Sequence, residues 1–496
     1  MKKSRIFAVI SFLILLGACV FAFFYAYRSQ LLPVRLLLIG LVLFAIVLLL
    51  LAFLVFKTKN SFLIISGGVL CLLFSVALLF SGVFLNRFLG TLQTTFSGET
   101  KTEVASIHVY MRADETDDST ALSASMTFGI LEHQDRANTD EALSRLEKQL
   151  GATLKVTAFD GPSRLIDALF DDEVDAIILN SAFLDLVEEM DGYDKVSERL
   201  RSVDRLHIER EVPVKEPTKK YTDTPATGTE TAVDATKQPF AVYISGIDNR
   251  GELIEKSRSD VNIIAVVNPE SHQVLLITTP RDYYVPLVFP DYVSPRDKLT
   301  HAGIYGVQVS MDTLGQLYEL DFDYYFRVNF SGFVDIVEAL GGVTVNVEKE
   351  FSTTEYTFKE GPNELNGYKA LSFVRNRFGI GDQQRGRNQM AFIKGVINKA
   401  ISTDMLLNFN SILKAVDGCF ECSMPYDRIS ALVREQIESG AEWNIVTYAV
   451  TGSGNSAIPY SMNIEVYVMD PDMDTVQTAR DLIQQVLAGE VITQPK

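Results

Sequence analysis

Four arginines, Arg375, Arg377, Arg385 and Arg387, stand within the segment FVRNRFGIGDQQRGRNQM, whose one acid is Asp382. A second set lies upstream. Asp248 and Arg250 follow an apolar run, Arg258 and Asp260 sit in KSRSD, and Arg281 and Asp282 end LLITTPRD. Guanidinium groups on loops and strand ends, with glycines nearby, suit bidentate binding of phosphate oxygens. Carboxylates among them offer a place for a divalent cation, since Mg²⁺ takes one or two carboxylates and completes its shell with phosphate oxygens and water. For any single arginine, pairing with a surface acid is the simpler explanation. For the whole constellation, phosphate binding is the better one.

Other chemistries find no support. The five histidines include only His272 and His301 beyond Phe240, which speaks against a histidine-based zinc site. No G-x-S-x-G elbow, Walker A loop or dinucleotide fingerprint occurs. Cys419 and Cys422 form a short C-F-E-C pair that suits either a small-loop disulfide or two inert thiols.

The arginines need a scaffold, and the apolar pattern supplies one. Strands are expected at Phe240–Ile247, Val261–Val267, Val274–Thr279, Tyr324–Asn329 and Val343–Val347. Helices are expected at Tyr305–Leu320, Ser331–Leu340, Gly367–Val374, Gly386–Ser402, Ile429–Glu438 and Asp474–Leu487. Their interleaving argues for a three-layer α/β/α domain with a mixed central sheet over residues 240–496.

Before it, residues 91–212 read as a small accessory α/β domain. Strands are expected at Ser106–Met111, Thr127–Ile130, Thr153–Phe159 and Val174–Leu179. Helices are expected from a Thr139 cap to Leu150, at Ser163–Phe170 and at Ser181–Met190. One strand–helix–strand unit here resembles lobes of extracellular solute-binding proteins without carrying a ligand motif. Residues 213–239 hold prolines and threonines and no large aliphatic side chain except valine, the composition of a linker.

Residues 1–90 are a different object. Ile6–Tyr27, Leu36–Phe56 and Phe62–Leu85 are charge-free apolar runs long enough to cross a bilayer as helices. The first 98 residues carry eight basic and no acidic side chains, whereas 37 basic against 63 acidic follow. Lys2, Lys3, Arg5, Lys57 and Lys59 fall on one side of a three-helix anchor, and Arg28, Arg35 and Arg87 on the other. The positive bias places the N-terminus in the cytoplasm and the later domains outside the cell membrane. Leu16-Gly17-Ala18-Cys19 has the look of a lipoprotein cleavage box, but the apolar run continues past it, so three retained helices are expected. Little basic surface is left in the cytoplasm, so nucleic acid is not expected as a partner.

The order GIDNR, SRSD, TPRD, KLTHA, RNRFGIGDQQRGRNQ behind a membrane anchor resembles the LytR-CpsA-Psr family of bacterial cell-wall proteins, most specifically over residues 240–402. The three-helix anchor with an accessory module is similar to its streptococcal capsule-associated branch. The resemblance implies a Mg²⁺- or Mn²⁺-dependent phosphotransferase that moves a glycopolymer from a polyprenyl-pyrophosphate carrier to peptidoglycan. The polymer would be capsular polysaccharide or a teichoic acid. It implies that Asp248 and Asp260 hold the metal and that Arg258, Arg281, Arg375 and Arg377 bind the pyrophosphate. Asp382, Arg385 and Gln389 fall on a D-x-x-R-x-x-x-Q element that grips the phosphates from the other side. Asp260, Arg281, Asp382 and Arg385 are the implied catalytic groups. The base for the incoming hydroxyl stays open between Asp260, Asp382 and neither. Lys298 matches a commonly basic position. Asn249 and Asn388 depart from the family pattern, and Arg387 ranks below Arg385. A non-catalytic carrier-binding protein and a pyrophosphatase are the alternatives.

Overall fold

The computed structural model describes residues 2–28, 34–95, 100–113, 122–188, 190, 192–213, 236–247, 256–376, 381–402 and 419–495. The described chain falls into two compact units. One holds α1 (Lys2–Arg28), α2 (Val34–Ala52, prolonged by a π-turn over Phe53–Lys57) and α3 (Ser61–Thr95), together with a later amphipathic helix.

All three helices are long and apolar enough to cross a membrane. α1 and α3 run side by side in the same direction, because Gly68 lies against Phe7 and Ala8, and Gly82 against Phe21 and Ala22. Small residues at these two points let the helices approach closely. Arg5 donates to the carbonyl of Thr58 at 3.2 Å, so the N-terminus and the α2–α3 connector occupy the same end. Cys19 is a free, buried thiol within α1.

The second unit begins with a five-stranded sheet. Its elements are β1 (Thr100–Arg112), β2 (Thr127–Leu131), α4 (Arg136–Leu150), β3 (Lys155–Phe159), α5 (Pro162–Phe170), β4 (Ala176–Asn180), α6 (Ser181–Glu188) and β5 (Leu200–Pro213). The order is β3-β2-β4-β1-β5, with β2 parallel to both neighbours and β1 antiparallel to both of its own. Ala142 and Leu146 of α4 pack on one face, and Leu165, Leu169, Phe183 and Leu186 of α5 and α6 on the other.

Two details differ from the sequence reading. α4 starts three residues before Thr139, after Asp135 in a left-handed conformation (φ 51°), and the Thr139 hydroxyl donates to the carbonyl of Asp135 instead of capping. β5 was not expected. Its charged residues mask the alternation, yet it pairs with β1 from Thr100 opposite Pro213 to Arg112 opposite Leu200.

The central sheet follows, with β6 (Phe240–Ile247), β7 (Ser259–Asn268), β8 (Gln273–Thr279), the hairpin β9 (Tyr284–Val288) and β10 (Val293–Lys298), α7 (Ala302–Tyr305), α8 (Val307–Tyr318), β11 (Tyr324–Val328) and α9 (Phe330–Ala339). It continues with β12 (Val343–Val347), β13 (Phe351–Ser352), β14 (Thr357–Phe358), β15 (Gly361–Leu365), α10 (Gly367–Arg375), α11 (Gly381–Ala400) and β16 (Phe420–Cys422). α12 (Tyr426–Ser439) is the helix grouped with α1–α3. β17 (Asn444–Ala449), the hairpin β18 (Gly452–Ala457) and β19 (Val466–Pro471), and α13 (Met473–Leu487) complete the chain.

The sheet order is β16-β11-β6-β7-β8-β17, parallel at β11/β6 and β8/β17 and antiparallel elsewhere. Leu314 and Tyr318 of α8 and Val476 and Ile483 of α13 cover one face, over Tyr243, Ile264 and Ile277. Ile393 and Ile397 of α11 cover the other, over Ala265, Val274 and Leu276, with α9 and α10 packed beside α11. The expected three layers around a mixed sheet are present.

The helix expected over Tyr305–Leu320 breaks at Gly306, whose φ of 123° ends α7 and starts α8. The β9–β10 hairpin escaped the sequence reading because Pro286 and Pro295 demote both segments as strands.

Gly303 of α7 lies directly on the backbone of residues 257–259. A Cβ there would sit 2.5 Å from the Ser257 carbonyl oxygen and 2.7 Å from the Ser259 nitrogen. Gly303→Ala should therefore lower the unfolding free energy by about 1–3 kcal/mol, as overpacking does, read as a fall in the denaturation midpoint.

Candidate phosphate-binding site

The register brings four strand ends together. Gly246 pairs with Val261 and with Val328, Ile247 with Ser259, and Asn262 with Thr279. The carboxyl ends of β6, β8 and β11 thus lie beside the start of β7, which is where open α/β sheets take their ligands. Below this end, a buried hydroxyl network fixes the start of β7. Tyr243 donates to Asn262 Oδ1 at 2.7 Å and meets Ser259 Oγ at 2.9 Å, which in turn meets Ser245 Oγ at 2.7 Å. Burial pushes the Tyr243 hydroxyl above its ordinary pKa, so it stays a protonated donor.

Asp260 projects from β7 and Arg281 from just beyond β8. Arg281 Nη1 donates to Asp260 Oδ1 at 2.8 Å, and Thr300 Oγ1 donates to the same oxygen at 3.2 Å. The Thr300 backbone N–H also donates to the Arg281 carbonyl at 2.9 Å, so three segments close on one carboxylate. Asp282 receives Lys298 Nζ at 3.3 Å and lies 3.7 Å from Arg281 Nε. Arg258 is buried, its backbone against Gly303.

The second arginine set arrives on α10 and α11. Arg375, at the end of α10, stacks its guanidinium 4.1 Å over the ring of Phe330. Phe330 opens α9 directly after β11, and Asn329 caps that helix by accepting from the Gly332 N–H at 2.8 Å. Arg385 is buried, and Gly386 beside it rests on Thr278 of β8, where a Cβ would be 3.0 Å from the threonine methyl. Gln389 Nε2 donates to the Val374 carbonyl at 3.3 Å, tying α11 to the end of α10. Arg387 is engaged elsewhere, by Gln384 Oε1 at 3.0 Å and Glu348 at 3.4 Å. Asp382 lies in the first turn of α11. Asp248, Asn249, Arg250 and Arg377 lie outside the described residues.

Of the expected residues, Asp260 and Arg281 are in direct contact, and Arg375, Arg385 and Gln389 are gathered where α10, α11, β8 and the β11–α9 turn meet. Among the described residues no group of three or more His, Cys, Asp or Glu side chains is placed to hold a metal. The oxygen donors near Arg281 are nevertheless hard ones, the Asp260 carboxylate and the Thr300 hydroxyl, which is the donor chemistry Mg²⁺ prefers. Cys419 and Cys422 are half-buried on either side of Phe420 and Glu421, and Cys419 Sγ donates to Asp335 Oδ2 at 3.8 Å.

Sequence reasoning missed the support beneath Thr300. Asp297 is fully buried, with His301 Nδ1 donating to its Oδ1 at 2.6 Å and the Ser461 N–H to its Oδ2 at 2.9 Å. The Ser461 hydroxyl also donates to Oδ2 and meets the Tyr305 hydroxyl at 2.8 Å. Burial drives the Tyr305 hydroxyl well above its ordinary pKa. The i, i+4 spacing of Asp297 and His301 was the available signal, but Ser461 comes from 160 positions further on.

The fold is a three-layer α/β/α domain with arginines gathered at one end of a mixed sheet. The LytR_cpsA_psr family model matches residues 208–481, more than half of the chain, and the chain belongs to that family. It is 31% identical over 221 residues to the polyisoprenyl-teichoic acid–peptidoglycan teichoic acid transferase TagU of Bacillus subtilis, covering 44% of this chain and 70% of that one. It is 34% identical over 195 residues to the TagU of Enterococcus faecalis, covering 38% and 63%. Among solved structures, B. subtilis TagV is similar at 26% identity, covering 52% of this chain and 99% of that one, with a TM-score of 0.44.

Asp297→Ala would leave the buried His301 and Ser461 donors without their acceptor. Denaturation should show a loss of about 3 kcal/mol, and roughly half of that for Asp297→Asn, which keeps one carbonyl oxygen.

Proposed function

We propose that the chain is a membrane-anchored phosphotransferase acting outside the cell, moving a glycopolymer from a polyprenyl-pyrophosphate carrier onto peptidoglycan. The observation that carries this reading is the convergence of Arg281, Asp260 and Thr300 with the buried Arg258 at one sheet end. The relatives named as teichoic acid transferases support a teichoic-acid-like polymer, and the resemblance of the anchor and accessory module to the capsule-associated branch keeps capsular polysaccharide as the alternative. The positive bias of Lys2, Lys3, Arg5, Lys57 and Lys59, at one end of α1–α3, supports an N-terminus in the cytoplasm.

In the reaction, an acceptor sugar hydroxyl attacks the phosphorus attached to the glycan. A new P–O bond forms, the bond to the bridging oxygen breaks, and polyprenyl phosphate departs. The hydroxyl proton passes to Asp260, Asp382 or the departing phosphate. Arg258 and Arg281 hold the pyrophosphate and oppose the charge that builds on its oxygens, with Arg375, Arg377, Arg385 and Gln389 closing from α10 and α11. Asp260, with Asp248, would hold Mg²⁺ or Mn²⁺, which supplies further charge neutralisation when bound. The arginines position the carrier phosphate, and Thr300 holds the Asp260 carboxylate in place.

The test incubates the full chain with a lipid-pyrophosphate-linked glycan, Mg²⁺ and a peptidoglycan acceptor. A phosphodiester-linked product should form, and Arg281→Ala or Asp260→Ala should cut its rate by about 10²- to 10³-fold. Binding without product would indicate a carrier-retaining protein. Lipid phosphate released without acceptor incorporation would indicate a pyrophosphatase.

A further inference from the structure

The segment leading into Arg258 is held from the other sheet. Lys256 donates its backbone N–H to the Val104 carbonyl at 3.2 Å and its Nζ to the Tyr305 carbonyl at 3.0 Å. The same Nζ lies 2.9 Å from Glu103 Oε2, and the two side chains are only 11% and 10% exposed. Glu103 and Val104 belong to β1, the strand beside the edge strand β5 in the accessory sheet, whereas Lys256 precedes Arg258 by two residues and Asp260 by four. Gly306 makes room for this arrangement. A Cβ there would meet Glu103 Oε2 at 2.9 Å, and its φ of 123° is one that glycine adopts without strain.

The turn from Leu299 to Gly306 therefore touches the site at one end and the accessory sheet at the other. Thr300 donates to Asp260, while Tyr305 and Gly306 meet Lys256 and Glu103. Gly303, between them, presses on the backbone of Arg258. Nearly buried ion pairs add little net stability, but they fix geometry, and losing one partner strands the other charge.

We propose that Glu103 is a positioning residue for the phosphate site: through Lys256 it sets Arg258 and Asp260 in place for the pyrophosphate, making the accessory sheet part of the binding machinery. This rests on the reading of that site given above. The probe is geranylgeranyl pyrophosphate, titrated calorimetrically into the detergent-solubilised full chain, with melting temperature recorded alongside. Glu103→Gln should weaken binding about tenfold and lower the melting temperature. Adding Lys256→Met should restore most of the melting temperature, since no charge is left unpaired, while affinity stays low. Arg145→Gln, which breaks an exposed ion pair elsewhere in the accessory sheet's helix layer, should leave affinity unchanged. Full affinity in Glu103→Gln, or affinity that returns with melting temperature in the double variant, would overturn the proposal. Arg281→Ala separates the two ideas. If it weakens binding and Glu103→Gln does not, only the positioning role fails; if it does not weaken binding, the site reading fails and the positioning role with it.

Discussion

Guanidinium groups crowded at one end of a sheet repel one another, and the architecture around them answers that constraint. The described arginines are held in several ways. Arg281 is neutralised by Asp260, Arg375 lies on the face of Phe330, and Arg258 and Arg385 are sunk into the packing. Asp282 adds a second carboxylate, beside both Arg281 and Lys298. Asp260 holds Arg281 and Thr300 together, so removing it would release both. The Arg281–Asp260 contact also bridges β7 and β8 at the point where both leave the sheet.

The packing behind the site serves the same end. Two glycines set the distances: Gly386 lets α11 settle on β8, and Gly303 lets α7 settle on the strand that carries Arg258. Asp297 gathers His301, Ser461 and, through Ser461, Tyr305 into a buried acceptor system. Thr300 stands immediately before His301, so its hydroxyl is anchored by a network reaching from β10 to the loop after β18.

Much of this was legible in the chain. The β6, β7, β8 and β11 runs are apolar on both faces because helices cover both, and such runs are readable without any partner. Arg258, Asp260 and Arg281 stood out because they are charged groups at the ends of those runs, and Arg385 because it belongs to the cluster of four arginines between Arg375 and Arg387. What was not legible depends on distant partners. β5 is a strand because β1 lies beside it, since its own charged sequence argues otherwise. Thr300 and Ser461 are ordinary hydroxyl residues until the fold brings them to Asp260 and Asp297. The single helix expected over Tyr305–Leu320 failed at Gly306, where a carboxylate from β1 occupies the space a side chain would need.

The net charge raises a question about how an anionic substrate reaches such a site. Beyond the first 98 residues the chain carries 37 basic against 63 acidic side chains, so its far field repels a pyrophosphate. At physiological ionic strength that field fades within about 8 Å, so the repulsion is weak at a distance and the arginines act only at close quarters. Long-range steering would therefore not be the way such a site gathers an anionic substrate. Under the proposed function it need not be, because carrier and enzyme would share one membrane. α1–α3 would confine the domain to the surface that holds the lipid, and confinement raises the effective concentration of one partner around the other without any added contact. The acidic exterior then costs little in capture, while the short reach of the arginines restricts binding to an anion presented directly at the sheet end.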